Sequence, residues 1–278
     1  MRSDAWAFET GAPGGLGGAW LAHCLVLARW CMLLCLAGCA GWGKKDLGTS
    51  ADDMQGRKRA LVHLELAATY FAEGKNTYAL EAAKQSLAAD SSLSEAHNLL
   101  GLIYMRLNQP VPAEEGFRKA LLVQPQAASV QHNYGWLLCQ QSRWSEAMAL
   151  FSAALNNPNY DAPAKTWMTQ GLCQAKAGHV ANAEKSLHMA YQLEPTNPVI
   201  GFNLASHLYK QADYARAQKV IAPVNASPWA NAQTLWLGIR IARKSGDGAQ
   251  MSALSANLRQ HFGQSPELSL LDKEVFND

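Results

Sequence analysis

Small, apolar and polar positions recur along this chain at a fixed interval. A small residue flanked by apolar ones returns at Ala67, Gly101, Gly135, Gly171, Ala205 and Gly238, spaced by 34, 34, 36, 34 and 33 residues. Ala79, Ala113, Ala147, Ala183 and Ala217 form a second series, and Phe117, Phe151 and Leu187 follow four residues after their alanines. Gly74, Asn108, Gly178 and Asp213 lie between the series and suit tight turns. The pattern predicts pairs of helices, A and B. Small residues let the two approach and large ones fill the space between them. The interval of 36 has a visible cause. Residues 156–163, Asn-Asn-Pro-Asn-Tyr-Asp-Ala-Pro, lengthen one turn between units.

Residues 93–125 carry the unit most fully: Leu100-Gly101, then Tyr104, Ala113, Phe117, Ala120 and Pro125. This resembles the tetratricopeptide repeat at its usual internal spacing. The proline cannot continue a helix and so starts the next turn. The resemblance implies an all-α fold, a right-handed superhelical solenoid of about six helix-turn-helix repeats over residues 56–263, with A helices lining a concave groove. The sixth unit is degenerate: it has Trp236-Leu237-Gly238 but Gln250 where the small crossing residue belongs. Leu268, Leu270, Leu271 and Val275 predict a capping segment at 264–278, since a solenoid end must cover its last apolar face.

Composition narrows the function. The 278 residues are 49% apolar and 17% charged, with a formal net charge of +2. Such a balance offers no basic field for nucleic acid. Glu114-Glu115 reads as a solvated helix face. His97, His132 and His207 have no acid or nucleophile at a useful spacing, and no Gly-x-Ser-x-Gly occurs. No catalytic residue, cofactor, small-molecule substrate or metal site is therefore expected. Six cysteines contain no Cys-x-x-Cys.

Four of those cysteines, Cys24, Cys31, Cys35 and Cys39, lie in the N-terminal apolar region. Arg29 precedes a short apolar run that ends in Leu36-Ala37-Gly38-Cys39. The run is too short to span a bilayer and has the length of a signal-peptide core. Its last four residues resemble the lipobox of bacterial lipoproteins. That implies a signal peptide at 1–38, a lipidated Cys39 and a flexible tether over 39–55. Asp4 and Glu9 offset the basic residues of the leader, so translation is expected to begin further in, near Val26. Ala40 in place of an aspartate implies sorting to the outer membrane.

Taking the second, fifth, ninth and twelfth positions of each A helix as groove-facing gives an apolar and aromatic lining. Its candidate partner-binding residues are Leu61, Leu64 and Phe71, then Leu102 and Met105, then Trp136, then Met168 and Leu172, and last Phe202 and Tyr209, while Glu95, Asn98, Ser129, His132, Lys165 and Ser206 fall at the same positions. The set lacks the Lys/Asn/Arg clamp of tetratricopeptide co-chaperones. An exposed apolar groove favours an apolar helix or strand of a partner protein. Cys139 and Cys173 fall on neighbouring A helices, as a disulfide or as two buried thiols.

Asn133-Tyr134-Gly135-Trp136-Leu137-Leu138-Cys139, with residues 96–101, 171–173 and 235–243, resembles the PilF/PilW lipoproteins of type IV pilus biogenesis. The resemblance runs over about 39–266. It implies an outer-membrane, lipid-anchored pilotin facing the periplasm, whose partner is the pilus secretin subunit. It matches Cys39 to the lipidated cysteine, and Cys139 and Cys173 to the family's paired body cysteines. Two other readings of the residues are a lipoprotein scaffold for peptidoglycan enzymes and an adaptor held by an uncut N-terminal helix.

Overall fold

Helix-forming stretches separated by short turns account for the whole described chain. The computed structural model describes residues 50–276. These contain thirteen helices and no strand: α1 (Ser50–Ala72), α2 (Asn76–Ala89), α3 (Ser94–Arg106), α4 (Pro110–Val123), α5 (Ala128–Gln140), α6 (Trp144–Leu155), α7 (Pro163–Lys176), α8 (Val180–Leu193), α9 (Pro198–Lys210), α10 (Tyr214–Asn225), α11 (Ala232–Ser245), α12 (Gly248–His261) and α13 (Pro266–Asp272). Odd-numbered helices up to α11 are the A helices and even-numbered ones the B helices. Cys39, the expected signal peptide and most of the expected tether lie outside the described residues. The tether's expected end at residue 55 needs correction, because the chain is helical from Ser50. Asp52 and Asp53 in the first turn favour that start, since carboxylates oppose the positive end of the helix dipole.

The turn from A to B is tight and left-handed. Gly74, Asn108, Ser142, Gly178 and Ala212 all hold positive φ at the same place in their repeats. Glycine and asparagine bear this at little cost, and Ala212 less easily. Asp213, expected in that turn, instead caps α10, its carboxylate accepting from the Arg216 backbone N–H.

In four repeats a glycine of helix A lies directly beneath a large side chain of helix B. A Cβ on Gly101 would stand 2.5 Å from the Phe117 ring. One on Gly135 would stand 2.8 Å from Phe151, one on Gly171 2.7 Å from Leu187, and one on Gly238 2.9 Å from Leu254. Where the small residue is alanine, its partner is smaller than phenylalanine: Ala83 faces Ala67, and Ile221 stands opposite Ala205 in sequence register, all fully buried. Packed density of this kind leaves no room for an added methyl.

Stacking adds the third dimension. From α3 onward each A helix touches the next A helix, whereas no two B helices approach one another among the described residues. Contact on one side and splay on the other curve the array, with A helices inward. The core is accordingly a file of local clusters along the array rather than a single centre. Cys139 of α5 and Cys173 of α7 form a disulfide across one such junction, with Cα atoms 5.8 Å apart and both side chains fully buried. Polar ties cross others. Glu114 accepts from the Tyr134 hydroxyl and the Arg143 guanidinium, each at 2.7 Å, and Glu184 pairs with Arg216 at 2.8 Å. At the far end α13 packs on α11 and α12, and Phe276 stacks on Trp236 at 5.1 Å.

Two stability outcomes follow from this packing. Gly101→Ala is expected to lose about 1–3 kcal/mol in urea unfolding despite its better helix propensity, and Phe117→Leu in the same chain to recover part of the loss. Replacing Cys139 and Cys173 together with alanine is expected to lower stability by about 2–4 kcal/mol. Peptide mapping that finds both thiols alkylated in unreduced, unfolded protein would refute the bond.

Candidate functional site

The repeats place their A helices side by side, so residues at equivalent positions line up across the array. The expected groove residues sit on A helices, and many of them pack against the protein itself. Leu64 is half-buried between two clusters, around Ala67 and around Ala60 and Leu93. Phe71 is half-buried, and the Arg106 guanidinium lies 3.5 Å above its ring while donating to its carbonyl oxygen. Leu102 and Met105 pack on the Phe117 cluster, Trp136 on the disulfide cluster, and Met168, Leu172 and Phe202 on the cluster around Leu204 and Leu208. Tyr209 needs correction: it is only 8% exposed, with Arg240 at 4.6 Å from its ring. It serves the core because the next A helix closes over the twelfth position.

The open apolar surface lies on α1 instead. Leu61 is 48% exposed, and with it Met54, Val62 and Leu66. Spacing of seven, eight and twelve residues from Met54 puts all four on one helical stripe. The sequence reading found Leu61 and missed the other three, for a physical reason. Val62 and Leu66 occupy the positions that in later repeats are Ala96 and Leu100, or Val130 and Tyr134. There the preceding repeat covers or half-covers them. Among the described residues nothing covers them on α1. The same signal was available in the sequence as apolar residues at inter-repeat positions of the first unit.

Further along, a cavity of about 490 Å³ opens on the A-helix side of repeats three to five. Trp136 of α5, Leu172 and Lys176 of α7, and Asn203, His207 and Lys210 of α9 help to line it. Its two lysines stand at the thirteenth position, outside the four that the sequence reading took as groove-facing. That choice left both lysines out of the expected lining.

His132, also at an expected groove position, is a structural residue. Its Nδ1 meets Thr166 Oγ1 at 2.8 Å, and Thr166 Oγ1 meets the Tyr160 hydroxyl at 2.8 Å. This buried chain ties α5 to the lengthened turn before α7. Burial, with the charge of Lys165 adding to it, pulls the imidazole down to about 4. Burial and then the bond to Glu114 push the Tyr134 phenol up to about 12. Burial alone would raise Glu114, but the bonds from Arg143 and Tyr134 hold it below the usual carboxylate range. None of these groups faces a nucleophile, and no cluster of metal-ligating side chains occurs among the described residues.

An all-α array of these helical hairpins is a tetratricopeptide repeat protein. Within that class the chain is similar to the type IV pilus assembly protein PilF of Pseudomonas aeruginosa, 26% identical over 234 residues, 84% of this chain and 91% of that protein. The solved structure of PilW, described as a widely conserved type IV pilus biogenesis factor, superposes with a TM-score of 0.69 at 28% identity, covering 76% of this chain and 97% of that one. The Pseudomonas aeruginosa PilF structure superposes with a TM-score of 0.68 over 79% and 99% of the two chains. No family model matches the chain. Likeness over the whole solenoid, in sequence and in fold, supports a tetratricopeptide protein of the PilF/PilW type.

A pH prediction belongs to His132. Its folded-state value of about 4 lies below the ordinary 6.5, so the unfolded chain binds more protons between those limits. Stability is therefore expected to fall as pH drops from about 6.5 to about 4, by something on the order of 1–3 kcal/mol from this group. His132→Gln should flatten the thermal midpoint across that window relative to wild type.

Proposed function

We propose that this chain is a non-enzymatic scaffold of type IV pilus biogenesis, a pilotin anchored in the outer membrane through lipid on Cys39. The observation that carries the reading is the likeness to PilF and PilW along the whole array, with 91% of PilF matched in sequence. The exposed stripe of Met54, Leu61, Val62 and Leu66 supports a protein partner, because an exposed apolar patch of contiguous side chains invites burial against another chain. Its partner is a secretin subunit, which contributes an apolar helix or strand to the stripe. Lipid holds the solenoid at the inner leaflet of the outer membrane. Capturing subunits at that surface raises their effective concentration and makes their association resemble an intramolecular step. No covalent bond is made or broken. Among the described residues no helix is long and apolar enough to cross a membrane.

Three measurements test the proposal. Metabolic palmitate labelling should be lost in Cys39→Ser. A deletion strain should lose both secretin multimers and twitching motility; normal levels of both would reject the pilotin role and leave the scaffold for envelope enzymes. Leu61→Glu with Val62→Glu should weaken secretin capture about tenfold or more without moving the thermal midpoint, since both side chains are already exposed. Unchanged capture removes this stripe as the binding face.

A further inference from the structure

The cavity on repeats three to five differs in chemistry from the stripe on α1. Its walls are apolar at Trp136 and Leu172, and its charged lining is cationic, from Lys176 and Lys210. Among the described residues no carboxylate lines it, and neither lysine has an ion-pair partner. Glu184, whose charge reaches His207, is itself held by Arg216 at 2.8 Å. His207 is only 7% exposed and lines the cavity beside Val180, whose backbone it meets. Lysines at helix C-termini also complement the helix dipole, which explains their presence but not the cavity.

We propose that this cavity is a second docking site, which takes an acidic side chain of an extended partner segment between Lys176 and Lys210, with a neighbouring apolar side chain of that segment against Trp136 and Leu172. Charge complementarity selects the carboxylate, and the apolar walls select what flanks it. A cavity spanning α5, α7 and α9 suits a chain that runs across the A helices rather than one that ends there. The inference rests on the protein-binding reading above and not on the pilus assignment. Normal secretin multimers in a deletion strain would sink that assignment and leave the cavity untouched.

The test uses a random twelve-residue phage-displayed peptide library panned on the full chain, in parallel with Lys176→Gln/Lys210→Gln. Selected peptides should be enriched in Asp or Glu next to Leu, Phe or Trp, and the enrichment should vanish on the variant. A synthetic, C-terminally amidated copy of a selected peptide should bind the variant about tenfold more weakly. Its binding to the wild-type chain should also weaken as salt rises, an independent readout that needs no variant. Both lysines are exposed, so an unchanged thermal midpoint is expected to accompany the loss. Recovery of no peptide, selection without acids, equal binding to the variant or indifference to salt each overturns the proposal. So does binding that requires the peptide's free C-terminal carboxylate.

Discussion

The close approach of helix A to helix B, with a glycine or alanine beneath a bulky side chain sixteen residues later, is the contact on which this molecule depends. It sets the distance between the two helices of a hairpin. That distance determines which side chains remain on the outer faces for the next hairpin. Six such units then stack by nearest-neighbour contact, and no single centre holds them. The pairing is graded: Gly101 and Gly135 admit phenylalanine, Gly171 and Gly238 admit leucine, and Ala67 shares its cluster with the small Ala83. A large partner occurs only where the A-helix residue is small, which is the signature of a packing constraint.

Repetition also explains where surfaces are left open. An A-helix residue at the third or seventh position is normally buried or half-buried by the repeat before it, as Val130 and Tyr134 are. On α1 the same positions hold Val62 and Leu66, and these face outward. At the opposite end the problem is solved differently. Leu268, Leu270 and Phe276 of the closing segment pack on the cluster around Leu235 and Ile239, and Arg243 lies 4.0 Å over the Phe276 ring. One end of the array is sealed by its own chain and the other presents apolar side chains. The position of the open face is thus a consequence of the stacking order.

Much of the architecture was legible in the residue order because a solenoid's fold is a sum of local rules. A period near 34, Gly101 and Phe117 at their spacing, and the turn residue Asn108 each encode a contact within one or two repeats. The capping segment was visible as Leu268, Leu270 and Leu271 beyond the last full unit. The groove was legible only in part. Whether an A-helix side chain is open depends on its neighbour two helices away, and a frame of fixed positions cannot register that. Hence Phe71 is covered by Arg106 and Tyr209 is buried, while Met54, Val62 and Leu66 were passed over. The start of α1 was missed for a different reason: the helix begins before the repeat motif does, so periodicity gave no sign of it.

The cations at the ends of the A helices show how similar residues acquire different roles. Arg106, Lys176, Lys210 and Arg243 share the thirteenth position of their repeats. The arginines stand over aromatic rings, 3.5 Å from the Phe71 ring centre and 4.0 Å from that of Phe276, and so help to hold neighbouring elements together. Lys176 stands 5.9 Å from the Trp136 ring centre, near the limit of such an interaction. An ammonium is a compact charge on a flexible stem and keeps its donors available. A row that begins and ends in arginine therefore stiffens the array at those places, whereas the lysines in its middle leave charge directed at whatever enters between them. The difference between binding surface and internal brace lies here in the geometry of two cationic groups, not in the fold that carries both.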